Sequence, residues 1–152
     1  MSGVTVISQD AFDEEKLIDR IQTGDIPHDA ISWAAANGYI KVTKMLIDAG
    51  TEVNENGNYP LELASRNGHT EIVKLLIEAG AKTSDSGKDE GYCLRMAAYG
   101  GYIEIVKLLL KAGANPSADN YFALKLALNG QHMDVVEVLL DAICRQREVA
   151  KQ

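Results

Sequence analysis

One stretch of this chain recurs four times without an internal gap. From Tyr59 it reads YPLELASRNGHTEIVKLLIEAGA, and from Tyr92 it reads YCLRMAAYGGYIEIVKLLLKAGA. From Phe122 it reads FALKLALNGQHMDVVEVLLDA, and from Asp29 it reads DAISWAAANGYIKVTKMLIDAGT. The starts lie 30, 33 and 30 residues apart. Self-similarity at such a period is the signature of a repeat architecture, in which one small unit stacks on the next.

Each copy spells two helices. The first is short and carries a Leu or Ile followed by small residues: Ile31 with Ala34 and Ala35, Leu61 with Ala64 and Ser65, Leu94 with Ala97 and Ala98. Small side chains let neighbouring helices approach closely. Asn37-Gly38, Asn67-Gly68 and Gly100-Gly101 then mark a tight turn. The second helix is amphipathic. In the second copy Ile72, Val73, Leu75, Leu76 and Ala79 form the inward face, and Glu71, Lys74 and Glu78 face water. Gly50, Gly80 and Gly113 stand where a helix ends in a left-handed residue. No single unit buries its apolar faces alone, so the units must stack.

These residues resemble the ankyrin repeat family over about residues 29–142, with Glu-Ile-Val-Lys-Leu-Leu before Gly-Ala as the most specific stretch. The resemblance implies an all-α ankyrin-repeat solenoid of stacked helix-turn-helix units. The copies depart from the family pattern. Tyr59, Tyr92 and Phe122 stand at its threonine, and Ser32, Glu62, Arg95 and Lys125 at its histidine. Gln131 replaces the turn glycine in the last copy, which also lacks the closing Gly-Ala. Two junctions are three residues short, which implies shortened β-hairpin fingers. Such short repeats are similar to those of large DNA viruses, phages, protists and intracellular bacteria.

The expected organisation is a single domain over 1–152. It has a flexible N-terminus (1–11), a capping helix and turn (12–28), and repeats at 29–58, 59–91 and 92–121. A fourth repeat with a C-terminal cap covers 122–152. The capping helix starts at Asp13, has Leu17, Ile18 and Ile21 on its apolar side, and stops at Gly24. The full-length junction at 82–91, polar and glycine-containing, is the expected mobile loop. A polar tail from Arg145 to Glu148 closes the stack in water.

Composition narrows the function. The net charge is −7, with no basic patch to neutralise phosphates, so nucleic acid is not an expected partner. The same balance disfavours anionic membrane surfaces, and no apolar run approaches the roughly 20 residues of a membrane span. Cys93 and Cys144 lie far apart inside apolar helical patterns, which reads as packed, reduced thiols. Met1 to Asp10 has no basic segment and no long apolar run. No signal peptide is expected, and the expected location is cytoplasmic, or the host cytoplasm for a viral or effector protein.

Catalytic chemistry has no sequence support. His69 and His132 share one repeat position at the start of the second helix, which reads as a structural role. His28, the remaining histidine, belongs to no His/Cys cluster. The acidic loop Asp85 to Glu90 lacks calcium-loop spacing, and Gly87-Lys88 lacks the rest of a phosphate-binding loop. No enzyme activity, cofactor or metal is expected.

What remains is recognition. The resemblance implies a partner protein held on the concave side, by the inter-repeat turns and the exposed residues of the first helices. Carried over by repeat position, those residues are Asn37, Asn58, Arg66, Asn67, Lys88, Asp89, Tyr99, Tyr121 and Asn129. Tyr99, Tyr121 and Arg66 lead, because tyrosine and arginine dominate interface energetics. Trp33 shares a position with Leu63, Met96 and Leu126, so packing between units competes with binding there. The outer face runs from Lys41 and Lys44, through Glu71 with Lys74 and Glu104 with Lys107, to Asp134 and Glu137. That gradient favours orientation of a polar partner or head-to-tail self-association. The expected function is a non-catalytic adaptor or inhibitor, monomeric or weakly homo-oligomeric. The alternatives are a homo-oligomeric scaffold joined through its terminal repeats and a small-ligand-binding ankyrin protein.

Overall fold

The computed structural model describes residues 13–54, 57–83 and 91–152. Helix α1 (Glu14–Gln22) stands alone. Four helix pairs follow: α2 (Ala30–Asn37) with α3 (Ile40–Asp48), α4 (Tyr59–Asn67) with α5 (Thr70–Glu78), α6 (Tyr92–Gly100) with α7 (Ile103–Lys111), and α8 (Ala118–Asn129) with α9 (Met133–Ala150). No strand occurs among the described residues, so the architecture is an all-α solenoid with shortened fingers.

The pairs stack through small residues in one layer and branched ones in the other. Ala34, Ala64, Ala97 and Ala127 are shut from solvent in the first helices. Leu46, Leu76, Leu109 and Leu139 are shut from solvent in the second. The first helices pack more closely on one another than the second helices do, as alanine against leucine dictates. The side carrying the first helices is therefore concave. Helix α1 packs on α3 through Leu17, which is fully buried. Its Asp13 side chain accepts from the Glu15 amide at 3.3 Å and caps the first turn.

Turn chemistry fixes the stacking register. At the end of α5 the Gly80 amide donates to the Ile77 carbonyl at 3.0 Å, and the Ala81 amide to Leu76 at 2.9 Å, with Gly80 at φ +95°. These are the paired bonds of a Schellman cap, repeated at Gly50 and Gly113. At the turn between paired helices Gly68 takes φ +78°, and a Cβ there would lie 2.7 Å from the Tyr102 ring. His69 lies equally close over Gly38, and His132 over Gly101. Each ring thus rests on the preceding unit's turn, and glycine is needed for space as well as for backbone angle.

Polar side chains join successive units. Asn54 donates to the Gly80 carbonyl at 3.2 Å and accepts from the Lys82 amide at 3.0 Å. The Thr83 hydroxyl donates to the Ala112 carbonyl at 3.1 Å. In the last unit α9 does not stop where the other second helices do. Gln146 on its extra turns donates to Asn115 at 3.0 Å and pairs with the Ser117 hydroxyl at 2.7 Å.

One cysteine expectation is corrected. Cys93 is buried, but Cys144 is exposed, because it lies on the part of α9 that extends past its neighbours. In the last unit Leu128, Met133 and Leu140 are 49%, 59% and 46% exposed. Asp119, Asn120 and Tyr121 precede the regular part of the first helix of the last unit. They form a left-handed turn, with φ of 49°, 56° and 61°, inside the span of α8. The expectations for residues 1–11 and for most of the junction at 82–91 lie outside the described residues.

Candidate functional site

The concave face is built from the outward sides of α2, α4, α6 and α8. Tyr59, Tyr92 and Phe122 share one position at the start of their helices. Tyr59 is 46% exposed and Phe122 40%. One turn further on, Arg95 lies 5.8 Å from the Tyr92 ring centroid and 5.6 Å from that of Phe122. Its Nη1 donates to Asp119 at 2.9 Å, and its side chain is only 12% exposed. A guanidinium held against two rings and a carboxylate is preorganised and desolvated, the setting in which cation–π attraction is strongest. Arg95 was noted in the sequence only as a departure from the family's histidine. The signal that finds it is Tyr92 at i−3 together with the aromatic at the same position of the next copy.

The last turn of each first helix presents Asn37, Arg66 with Asn67, Tyr99, and Asn129, all exposed. Tyr99 is the most open of the large apolar side chains on this face, at 66%. Asn67 is partly committed, since its amide donates to the Ala36 carbonyl of the preceding unit at 2.9 Å. Asn37 likewise donates to Trp33 within its own helix at 2.9 Å. His69 and His132 each place Nε2 3.1 Å from a carbonyl of the preceding unit, Ala36 and Tyr99 respectively. These histidines bridge repeats. Among the described residues no group of His, Cys, Asp and Glu is placed to hold a metal ion.

The remaining predicted residues divide. Trp33 is half-buried and packs against the core. Asn58, expected to be exposed, is 4% exposed, because it takes φ +74° at the turn into α4 and is drawn beneath it. Tyr121, also expected on the open surface, is half-buried and held by α9. Arg147 donates to its hydroxyl at 3.0 Å and lies 5.7 Å from its ring centroid. That hydrogen bond and the guanidinium charge lower the Tyr121 phenol below its ordinary 10.0. Lys88 and Asp89 lie outside the described residues. The structure therefore brings Arg66, Asn67, Tyr99 and Asn129 to one face with the aromatic column, and assigns Tyr121 to the closing clasp.

The inner helices carry Arg66, Arg95 and Lys125 against Glu62 and Asp119, the latter bound to Arg95. Asp29, at the aromatic position of the first copy, adds a third carboxylate, so the face is aromatic and close to neutral on a chain of net charge −7. No helix among the described residues is long and apolar enough to cross a membrane. No curated protein matches the chain. A family model described as ankyrin repeats (3 copies) matches residues 13–87 and 82–148. With the repeated turn chemistry and the stacked helix pairs, that match shows that the chain belongs to the ankyrin repeat family.

Proposed function

We propose that this protein is a non-catalytic binding module that holds a partner protein on its concave face and acts by occupancy, as an adaptor or an inhibitor. Ankyrin repeats are in general protein–protein interaction modules. The observation that carries the reading here is the aromatic column Tyr59, Tyr92 and Phe122 with Arg95 packed in it, beside an open Tyr99. Rigid rings and a desolvated arginine are what a protein interface uses as anchors, since little side-chain entropy is lost when a partner covers them. The short repeat spacing extends the proposal to a factor working in a host cytoplasm on a host protein. The test is capture of partners from a host lysate by the wild type and by Tyr99→Ala/Arg66→Ala, with the melting curve of each recorded. Both side chains are exposed, so the variant stays folded. Loss of the captured protein supports the reading, and identical capture by the folded variant refutes it.

A second reading is favoured by Leu128, Met133 and Leu140, which leave the last unit open to another copy. Light scattering across a concentration series separates the two, because a self-assembling scaffold gains mass with concentration and a monomeric adaptor does not.

A further inference from the structure

We propose that the molecule has a second binding site, on its outer side between α7 and α9, and that this site takes an acidic peptide segment of a partner protein bearing a bulky apolar side chain. A cavity of about 550 Å3 opens there, well within the range of ligand sites. Its floor is apolar and low: Leu110, Ala114, Pro116, Val138 and Ala142 are buried or half-buried. Alanine and proline at three of those five places leave room that longer side chains would fill. The rim is charged, with Lys107, Lys111, Asp141 and Arg145 all exposed.

The cavity follows from the departure of the last copy. The other second helices end at Asp48, Glu78 and Lys111, each followed by a left-handed glycine two residues later. Helix α9 lacks that stop and runs on to Ala150, so its added turns stand beside the Ala114–Ser117 turn as a second wall. Gln146 ties that wall to Asn115 and Ser117, and Arg147 ties it to Tyr121. The trough is thus held open by a clamp of side chains, and little ordering is lost when a ligand enters.

The rim chooses the occupant. Three cations face two carboxylates: Lys107 pairs with Glu104 at 3.0 Å, and Arg145 with Asp141 at 2.6 Å. Both pairs are solvent-exposed, so each exchanges readily for an incoming carboxylate. Lys111 has no carboxylate partner among the described residues. The carbonyl end of α7 opposes an anion, but the Ala112 carbonyl already accepts from Thr83, and Lys111 in the last turn offsets the rest. A locally cationic rim around an apolar floor, on a chain of net charge −7, fits an apolar side chain flanked by Asp or Glu. This site is lined by the second helices and the turn that carries Ala114 and Pro116, and it shares no residue with the aromatic column, Arg66 or Tyr99, so it stands or falls separately from the function proposed above.

The test is selection of a phage-displayed random-peptide library on the wild-type protein, counter-selected on Ala142→Trp, which fills the trough. An enriched peptide is then synthesised with a fluorophore and its affinity followed by anisotropy. The expected result is enrichment of Asp/Glu-flanked Leu, Phe or Trp, with binding that weakens as salt rises. Lys111→Glu should weaken it by about tenfold or more, because attraction becomes repulsion at the rim. Tyr99→Ala should leave it unchanged. Lys111 is exposed, so Lys111→Glu keeps the test decisive even if Ala142→Trp fails to fold. No enrichment, enrichment of basic or uncharged sequences, or equal affinity for Lys111→Glu overturns the proposal. So does binding to phosphatidylserine vesicles in place of peptides.

Discussion

At the scale of single residues, the left-handed positions are where this chain gains or loses most for least change. Gly38, Gly68 and Gly101 occupy them in three copies, but the fourth has Gln131 at φ +58°. An L side chain there costs roughly 1–2 kcal/mol, and part of that returns as the lower unfolded-state entropy of a non-glycine residue. Gln131→Gly should therefore stabilise the protein by about 0.5–1 kcal/mol, read as a higher urea midpoint at unchanged slope. The reverse change at Gly68 meets two penalties, the backbone angle and the Tyr102 ring 2.7 Å from the new Cβ. Gly68→Ala should cost about 2 kcal/mol or more in the same measurement. Tyr121 offers a test by titration. Its pKa is lowered in the folded state by Arg147, so the folded chain gives up that proton at lower pH than the unfolded chain. The associated stability is fully present above the unfolded value of 10.0 and is lost as pH falls through the lowered folded value. Ultraviolet difference titration of the wild type against Tyr121→Phe should show Tyr121 ionising below its ordinary value, and Arg147→Gln should raise it.

At the scale of elements, the helices and their stops were legible because each is written locally. Apolar residues at i, i+3 and i+4 set the second helices, and glycine sets their ends. The αL turn at Asp119–Tyr121, the clasp on Tyr121 and the reach of α9 were not, because they depend on contacts between residues 26 to 31 apart. The same holds for the site. Exposed Arg66, Tyr99 and Asn129 follow from repeat position, whereas the burial of Asn58 and the stacking of Arg95 arise from how one unit lies on the next. Arg95 makes this testable. Lysine at that position keeps the charge but loses the planar group that fits between two rings. Arg95→Lys should cost about 1 kcal/mol, with Arg95→Ala costing more, both by denaturant melt. If the two variants melt like the wild type, Arg95 is an ornament of the surface and not a joint between α6 and α8.

At the scale of the molecule, a solenoid has neighbours only before and after, so each unit's stability is set by how many of its two faces are covered. One repeat position reports this directly. Ala35, Ser65 and Ala98 are sealed there because another first helix lies beyond each. Leu128, at the same position of the last described unit, is 49% exposed. A charge introduced at the two places should therefore have opposite consequences. Ala98→Lys forces an ammonium between packed helices and should cost about 3 kcal/mol or more. Leu128→Lys leaves the new charge in water and should shift stability by no more than about 0.5 kcal/mol. If instead Leu128→Lys destabilises strongly, and does so only at high protein concentration, the open end is covered in solution by another copy. The scaffold reading would then replace the monomeric module, since only an assembled end makes a surface lysine costly.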